Sequence, residues 1–335
     1  ALALAVGCSD SETDNNGTTN NGTTPTNNGT TPTNNGTTPT NNGTTTNNGV
    51  VDPLAVCDSL DTSACALPWP SSLYLVEDNE RETGFTLTFG EHSLPANNKG
   101  EFIKAAPHQR MDGYGLGSAP MAYFPDVDAS GFPTEYKIAD SLLADAQIVF
   151  LEVNPAGTDR AIPFFAELDS SVYDVDINPR MTIVHPAEIL KPNTRYVIAF
   201  RNLKAVSGGD VPKSAAFQAL LDGNTEGDES LQARQAQFDD VFTILEGHGW
   251  SKDTLNLAWD FHTASDKGLT GWLLHMRDEV LDSAGPMGPE LTITEVEEFT
   301  VEQNVDMAVR FSGTFEAPNY ITLDGDTKVL NLGAD

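Results

Sequence analysis

The chain has 335 residues, 49 of them acidic against 18 basic, for a formal charge of -31. That excess argues against nucleic acid and anionic lipid as direct partners, both of which need a positive surface. The first fifty residues carry too little apolar side chain to build a core, which leaves about 285 residues, enough for two modest domains.

The opening run Ala1-Leu2-Ala3-Leu4-Ala5-Val6-Gly7-Cys8 is apolar, ends in small residues and stops at a cysteine. It resembles the end of a bacterial lipoprotein signal, in which a peptidase cuts before a cysteine whose sulfur then receives diacylglycerol. Ala5 stands where that pattern usually has Leu, and no basic start or initiator Met precedes it, so the amino end is expected to be a fragment. An ordinary secretory signal is the alternative. On the lipoprotein reading Cys8 is lipidated and the partner is a membrane reached through the lipid anchor. Ser9 after the cysteine points to export towards an outer membrane or cell surface. No other stretch approaches the roughly 18 apolar residues that span a bilayer.

From Asn15 to Gly49 the chain repeats Asn-Asn-Gly-Thr-Thr-Pro-Thr with small variations. Such a segment has nothing to bury, and residues 9–49 are expected to be a disordered tether holding its ends about 35 Å apart. Beyond it, Cys57 and Cys65 form an even pair in a polar loop. Outside the cytoplasm such a pair normally oxidises, so a Cys57–Cys65 disulfide is expected. No nearby His completes a ligand set for the metal alternative.

Prolines flank Trp69 in Leu67-Pro68-Trp69-Pro70 and impose an extended path. Alternation over Phe85–Phe89 predicts a short strand, and Gln147–Leu151, Ala161–Phe165, Met181–Val184 and Tyr196–Phe200 read as further strands bounded by turn residues. Their spacing suggests a β-sandwich. Pro186-Ala187-Glu188-Ile189-Leu190-Lys191-Pro192-Asn193-Thr194-Arg195-Tyr196 is similar to a turn in immunoglobulin-like modules of bacterial surface proteins, where the tyrosine packs at the corner between two strands. Phe238, Val241, Phe242 and Leu245 then recur at helical spacing, with Gly247 placed to end the helix. A strand over Leu255–Ser265, a helix over Leu269–Leu281 and strands over Ile293–Phe299 and Val305–Phe315 complete the series.

Taken together, Arg110-Met111-Asp112-Gly113-Tyr114, Leu257-Ala258-Trp259-Asp260-Phe261-His262-Thr263-Ala264-Ser265 and the Met276-Arg277-Asp278 helix resemble the amino-terminal half of secreted bacterial α/β-hydrolases, lipases and esterases. Tyr114 and His262 replace Phe and Thr of that pattern. The resemblance covers Cys57 to about Asp335 and implies that the family's nucleophile motif lies beyond Asp335. No catalytic residue is therefore carried across.

The expected fold is mixed α+β: a signal end over 1–8, the linker over 9–49, a β-rich domain with an immunoglobulin-like segment over 50–222, a helix–strand–helix segment over 223–290, and the start of a further β-containing domain over 291–335. The expected function is the anchored accessory part of a surface ester hydrolase, inert by itself and monomeric. The alternative is a surface binding or adhesion lipoprotein without chemistry.

Candidate sites within the chain are few. No serine has the small residues two before and two after that an elbow nucleophile needs, and Ser118, flanked by Leu116 and Pro120, reads as a glycine-rich loop. His248-Gly249 could supply oxyanion-hole amides, but follows a helix and reads as its cap. His262 and His275 lack matching ligand spacing and read as ordinary packed or surface residues. Asp126, Asp128 and Ser130 precede Gly131 as at the start of a calcium loop, yet Lys137 stands at the twelfth position, so a solvated turn is the main reading and weak calcium binding the alternative; no other cofactor is expected. Asp324-Gly325-Asp326 reads as a β-turn.

Overall fold

The computed structural model describes residues 57–61, 65–90, 93–97, 99–171, 180–324 and 327–330. Cys8 and the repeat over 9–49 lie outside the described residues. The chain forms a mixed fold of mostly antiparallel sheets with three helices.

β1 (Leu75–Glu77) and β2 (Phe85–Leu87) make a small hairpin. β2 ends before Phe89, whose ring turns instead against Trp69 and Tyr74. β3 (Met121–Tyr123), β6 (Phe164–Leu168) and β7 (Met181–Pro186) form one sheet in the order β3-β7-β6; along β7 buried Thr182 and Val184 alternate with partly exposed neighbours, the pattern of a strand covered on one face. β4 (Ile148–Val153), β5 (Arg160–Ala161), β8 (Arg195–Arg201) and β9 (Leu255–His262) form the second sheet in the order β5-β4-β8-β9. Here β4, β8 and β9 are buried along nearly their whole length, as the apolar runs of β4 and β8 require, and β9 buries Asn256 and Asp260 with partners as well.

Two helices fill the connection between β8 and β9. α1 (Ala215–Asp222), which the strand-like pattern around it had hidden, starts where the Ser214 hydroxyl accepts from Phe217 N and ends at Gly223, whose φ of 66° suits glycine. α2 (Glu229–Gly247) is capped by Asp228 and buries Leu231, Phe238, Val241, Phe242 and Leu245 along one stripe. It ends on His248, with Gly249 at φ 79°. Phe217 meets Phe242 edge-on at 6.0 Å, and Tyr196 stacks on Phe261 and meets Phe150 edge-on, all within a single core running from Leu60 to Phe261.

The turn between β7 and β8 carries the chain from one sheet to the other. Tyr196 is fully buried there, and its hydroxyl accepts from Lys191 N at 2.8 Å while burial pushes its pKa up to about 12. Tyr196→Phe deprives that N–H of its acceptor and should lower stability by about 1–2 kcal/mol, read as a shift in the urea midpoint without a change in slope.

α3 (Asp266–Ala284), β10 (Thr292–Glu298) paired with β11 (Val309–Thr314), and β12 (Ile321–Asp324) paired with β13 (Thr327–Leu330) follow. Among the described residues none beyond Ser265 is buried. Gly325 and Asp326 lie outside the described residues. No helix among them is long and apolar enough to cross a membrane.

Candidate functional site

Three segments far apart in sequence meet beside the end of β9. Trp259 Nε1 donates to Pro70 O at 2.7 Å, and Tyr114 OH donates to Ser71 O at 2.7 Å. Trp69 lies edge-on to Tyr114, with ring centres 5.0 Å apart. Tyr114 N donates to His262 O and Ala264 N donates to Tyr114 O, so Gly113 runs directly against the backbone of Thr263 and Ala264. Burial raises the Tyr114 phenol well above its ordinary range.

Asp112 is the hinge pin of this junction. Its buried carboxylate accepts from Ser265 N at 3.1 Å and Ser265 Oγ at 2.5 Å, while Ser265 Oγ accepts from Gly268 N to cap α3. Gly268 lies so close that a Cβ there would press on the Asp112 carboxylate and displace it from Ser265. A carboxylate at this helix start also opposes the positive end of the macrodipole.

His262 sits beside the same junction, its Nδ1 facing Thr263 O at 2.9 Å and its ring 5.6 Å from that of Phe85. Burial lowers its pKa below 6.5, against the opposing pull of the Thr263 carbonyl and Asp260. The unfolded chain therefore binds a proton below pH 6.5 that the folded protein refuses, and stability falls as pH drops through that value. The urea midpoint should be lower at pH 5.5 than at pH 7.5, and His262→Asn should shrink the difference.

A cavity of about 390 Å³ opens next to Asp112 and Ser265, between the β1–β2 loop and the first turns of α3. Met111, Leu269 and Trp272 give it an apolar wall, and the Arg110 guanidinium lies over the Trp272 ring at 4.0 Å. Arg81, which pairs with Asp78, and Lys267 add positive charge; Glu80 and Glu82 are the carboxylates at its rim.

The residues singled out by sequence are dispersed. Cys57 and Cys65 are joined in a disulfide. Ser118 N closes a turn on Gly115 O, and among the described residues its hydroxyl bonds to no histidine. His248 Nε2 lies 3.3 Å from Asp159, and His275 is 79% exposed on α3. Asp126 accepts from Ser207 N and Asp128 from Ser130 N, so both carboxylates of the candidate calcium turn already serve the backbone, and the Ser130 bond holds Asp128 below the usual carboxylate range. Among the described residues no three His, Cys, Asp or Glu side chains gather as a metal site.

Sequence reasoning missed the ionic links. Asp58 is buried between the disulfide and α2, accepting from Leu60 N, Ser71 Oγ and both terminal nitrogens of Arg234, at 2.7 and 3.2 Å. Arg195 bridges Asp260 on β9 and Asp240 on α2. Separations of up to 176 residues leave no local pattern for such pairs. No protein family matches the chain by its sequence profile, and no curated protein matches it.

Proposed function

We propose that the chain is the lipid-anchored extracytoplasmic accessory region of a surface ester hydrolase, with the catalytic domain outside residues 1–335. One observation carries the reading: from Asp266 onward a helix and two hairpins hold their shape while burying nothing among the described residues, although they display Trp272, Leu273, Leu281, Val296 and Phe311. Hairpins of two strands are marginal in water, and an unpacked helix is no better. Such a segment is completed by another folded surface, and a domain built onto α3 and the hairpins supplies one.

In this reading the two sheets form an immunoglobulin-like sandwich, supported by the crossing from β7 to β8 and by the Tyr196 corner. Cys8 carries the lipid, residues 9–49 lift the domain from the membrane, and the protein is a monomer that avoids nucleic acid. The Cys57–Cys65 bond suits an oxidising exterior. A binding lipoprotein without chemistry is the second reading, favoured by the cavity at the head of α3. The test is to read the coding sequence past Asp335, express the longer protein and assay it on short-chain esters beside residues 1–335. Cleavage by the longer protein alone supports the hydrolase; a stop codon just after Asp335 removes it in favour of the binding reading.

A further inference from the structure

The cavity at the head of α3 brings three cations together with three carboxylates. In a chain of net -31, Arg110 and Lys267 converge on it with no ion pair to a carboxylate among the described residues, whereas Arg81 beside them is paired with Asp78. Asp112, the one buried carboxylate of the lining, is spent on Ser265. The Arg110 guanidinium carbon lies 4.0 Å over the Trp272 ring, and among the described residues no hydrogen bond occupies its N–H groups, which leaves a fork of donors that can receive an anion. Glu80 and Glu82 at the rim, each exposed, oppose binding of a highly charged ion more than of a singly charged one.

Gly271 adds a second observation. It lies in the interior of α3, where glycine costs about 1 kcal/mol relative to alanine. A Cβ there would meet only Lys267 Cγ at 3.6 Å, an ordinary contact, so the fold itself does not require glycine. The bare backbone lines the cavity together with Met111, Leu269 and Trp272.

We infer that this cavity binds a small singly charged amphiphile, its anionic head on Arg110 and Lys267 and its apolar chain across Gly271 against Met111, Leu269 and Trp272. The inference stands on the cavity and holds whichever domain follows α3. A volume of about 390 Å³ falls within the range of small-molecule sites.

Equilibrium dialysis with octanoate tests it, with octanol and inorganic phosphate as probes of the two halves. Octanoate should saturate one site, and Arg110→Gln with Lys267→Gln together should weaken it at least about tenfold, the effect of losing roughly 1.4 kcal/mol. Gly271→Leu should fill the cavity and abolish binding while the thermal midpoint stays at or above that of the parent. Equal binding of octanol shows that charge plays no part, and equal binding of phosphate shows that the chain plays none; either overturns the inference. So does octanoate uptake that survives both variants, which assigns it to the exposed apolar surface of α3 and the hairpins, and so does the lack of saturable uptake by the parent at about 10 mM.

Discussion

Asp58→Ala should cost about 3–5 kcal/mol of folding free energy, the largest loss expected from any single polar substitution in the chain. The carboxylate is completely buried and has four donors aimed at it, two of them from Arg234. Removing it leaves the guanidinium buried with, among the described residues, only the Phe238 ring, 5.1 Å away, as a favourable neighbour. The loss should appear as a lower urea midpoint. Asp58→Ala combined with Arg234→Met should recover much of it, because the stranded charge is what costs most. A double variant as unstable as the single one would mean that Asp58 acts chiefly through Leu60 and Ser71, holding the disulfide loop rather than neutralising α2.

Gly113→Ala should be nearly as damaging, at about 3 kcal/mol. The added methyl would lie 2.5 Å from Ala264 N and 2.6 Å from Thr263 C, and both are backbone atoms of a buried strand end that no rotamer change can move. Relief comes only by separating the Asp112–Tyr114 segment from β9, which also breaks the two backbone hydrogen bonds of Tyr114 and pulls Asp112 from the α3 cap. Gly268→Ala is the useful comparison, since its methyl meets a side chain, Asp112, that can rotate away. A smaller loss for Gly268→Ala than for Gly113→Ala, by thermal melting, is the expected order.

Much of this architecture is written locally. The apolar runs of β4, β7 and β8 announce strands because each is short and rich in β-branched or aromatic residues, and the 3-1-3 spacing of Phe238, Val241, Phe242 and Leu245 announces α2. Cys57 and Cys65 announce their bond by number and proximity. α1 went unread inside the expected β-rich domain, since eight residues hold too few turns for a helical period to emerge. The pairing of β8 with β9 is a different matter. Their residues are some 60 positions apart, and what makes them neighbours is the fit of two fully buried strands rather than any turn between them. The same holds for the site: Arg110–Tyr114 and Leu257–Ser265 could be picked out one by one, while their meeting with each other and with Pro70 and Ser71 depends on side-chain geometry that no spacing encodes.

The end of burial at Ser265 has a thermal counterpart. Melting enthalpy comes chiefly from contacts broken and surface hydrated, at about 0.7 kcal/mol per residue near 60 °C in packed domains. Only the roughly 200 residues from Leu60 to Ser265 contribute at that density, so the chain should absorb about 140 kcal/mol on melting where a fully packed protein of its described length would absorb about 180. The missing heat measures how much of the chain is folded without being enclosed.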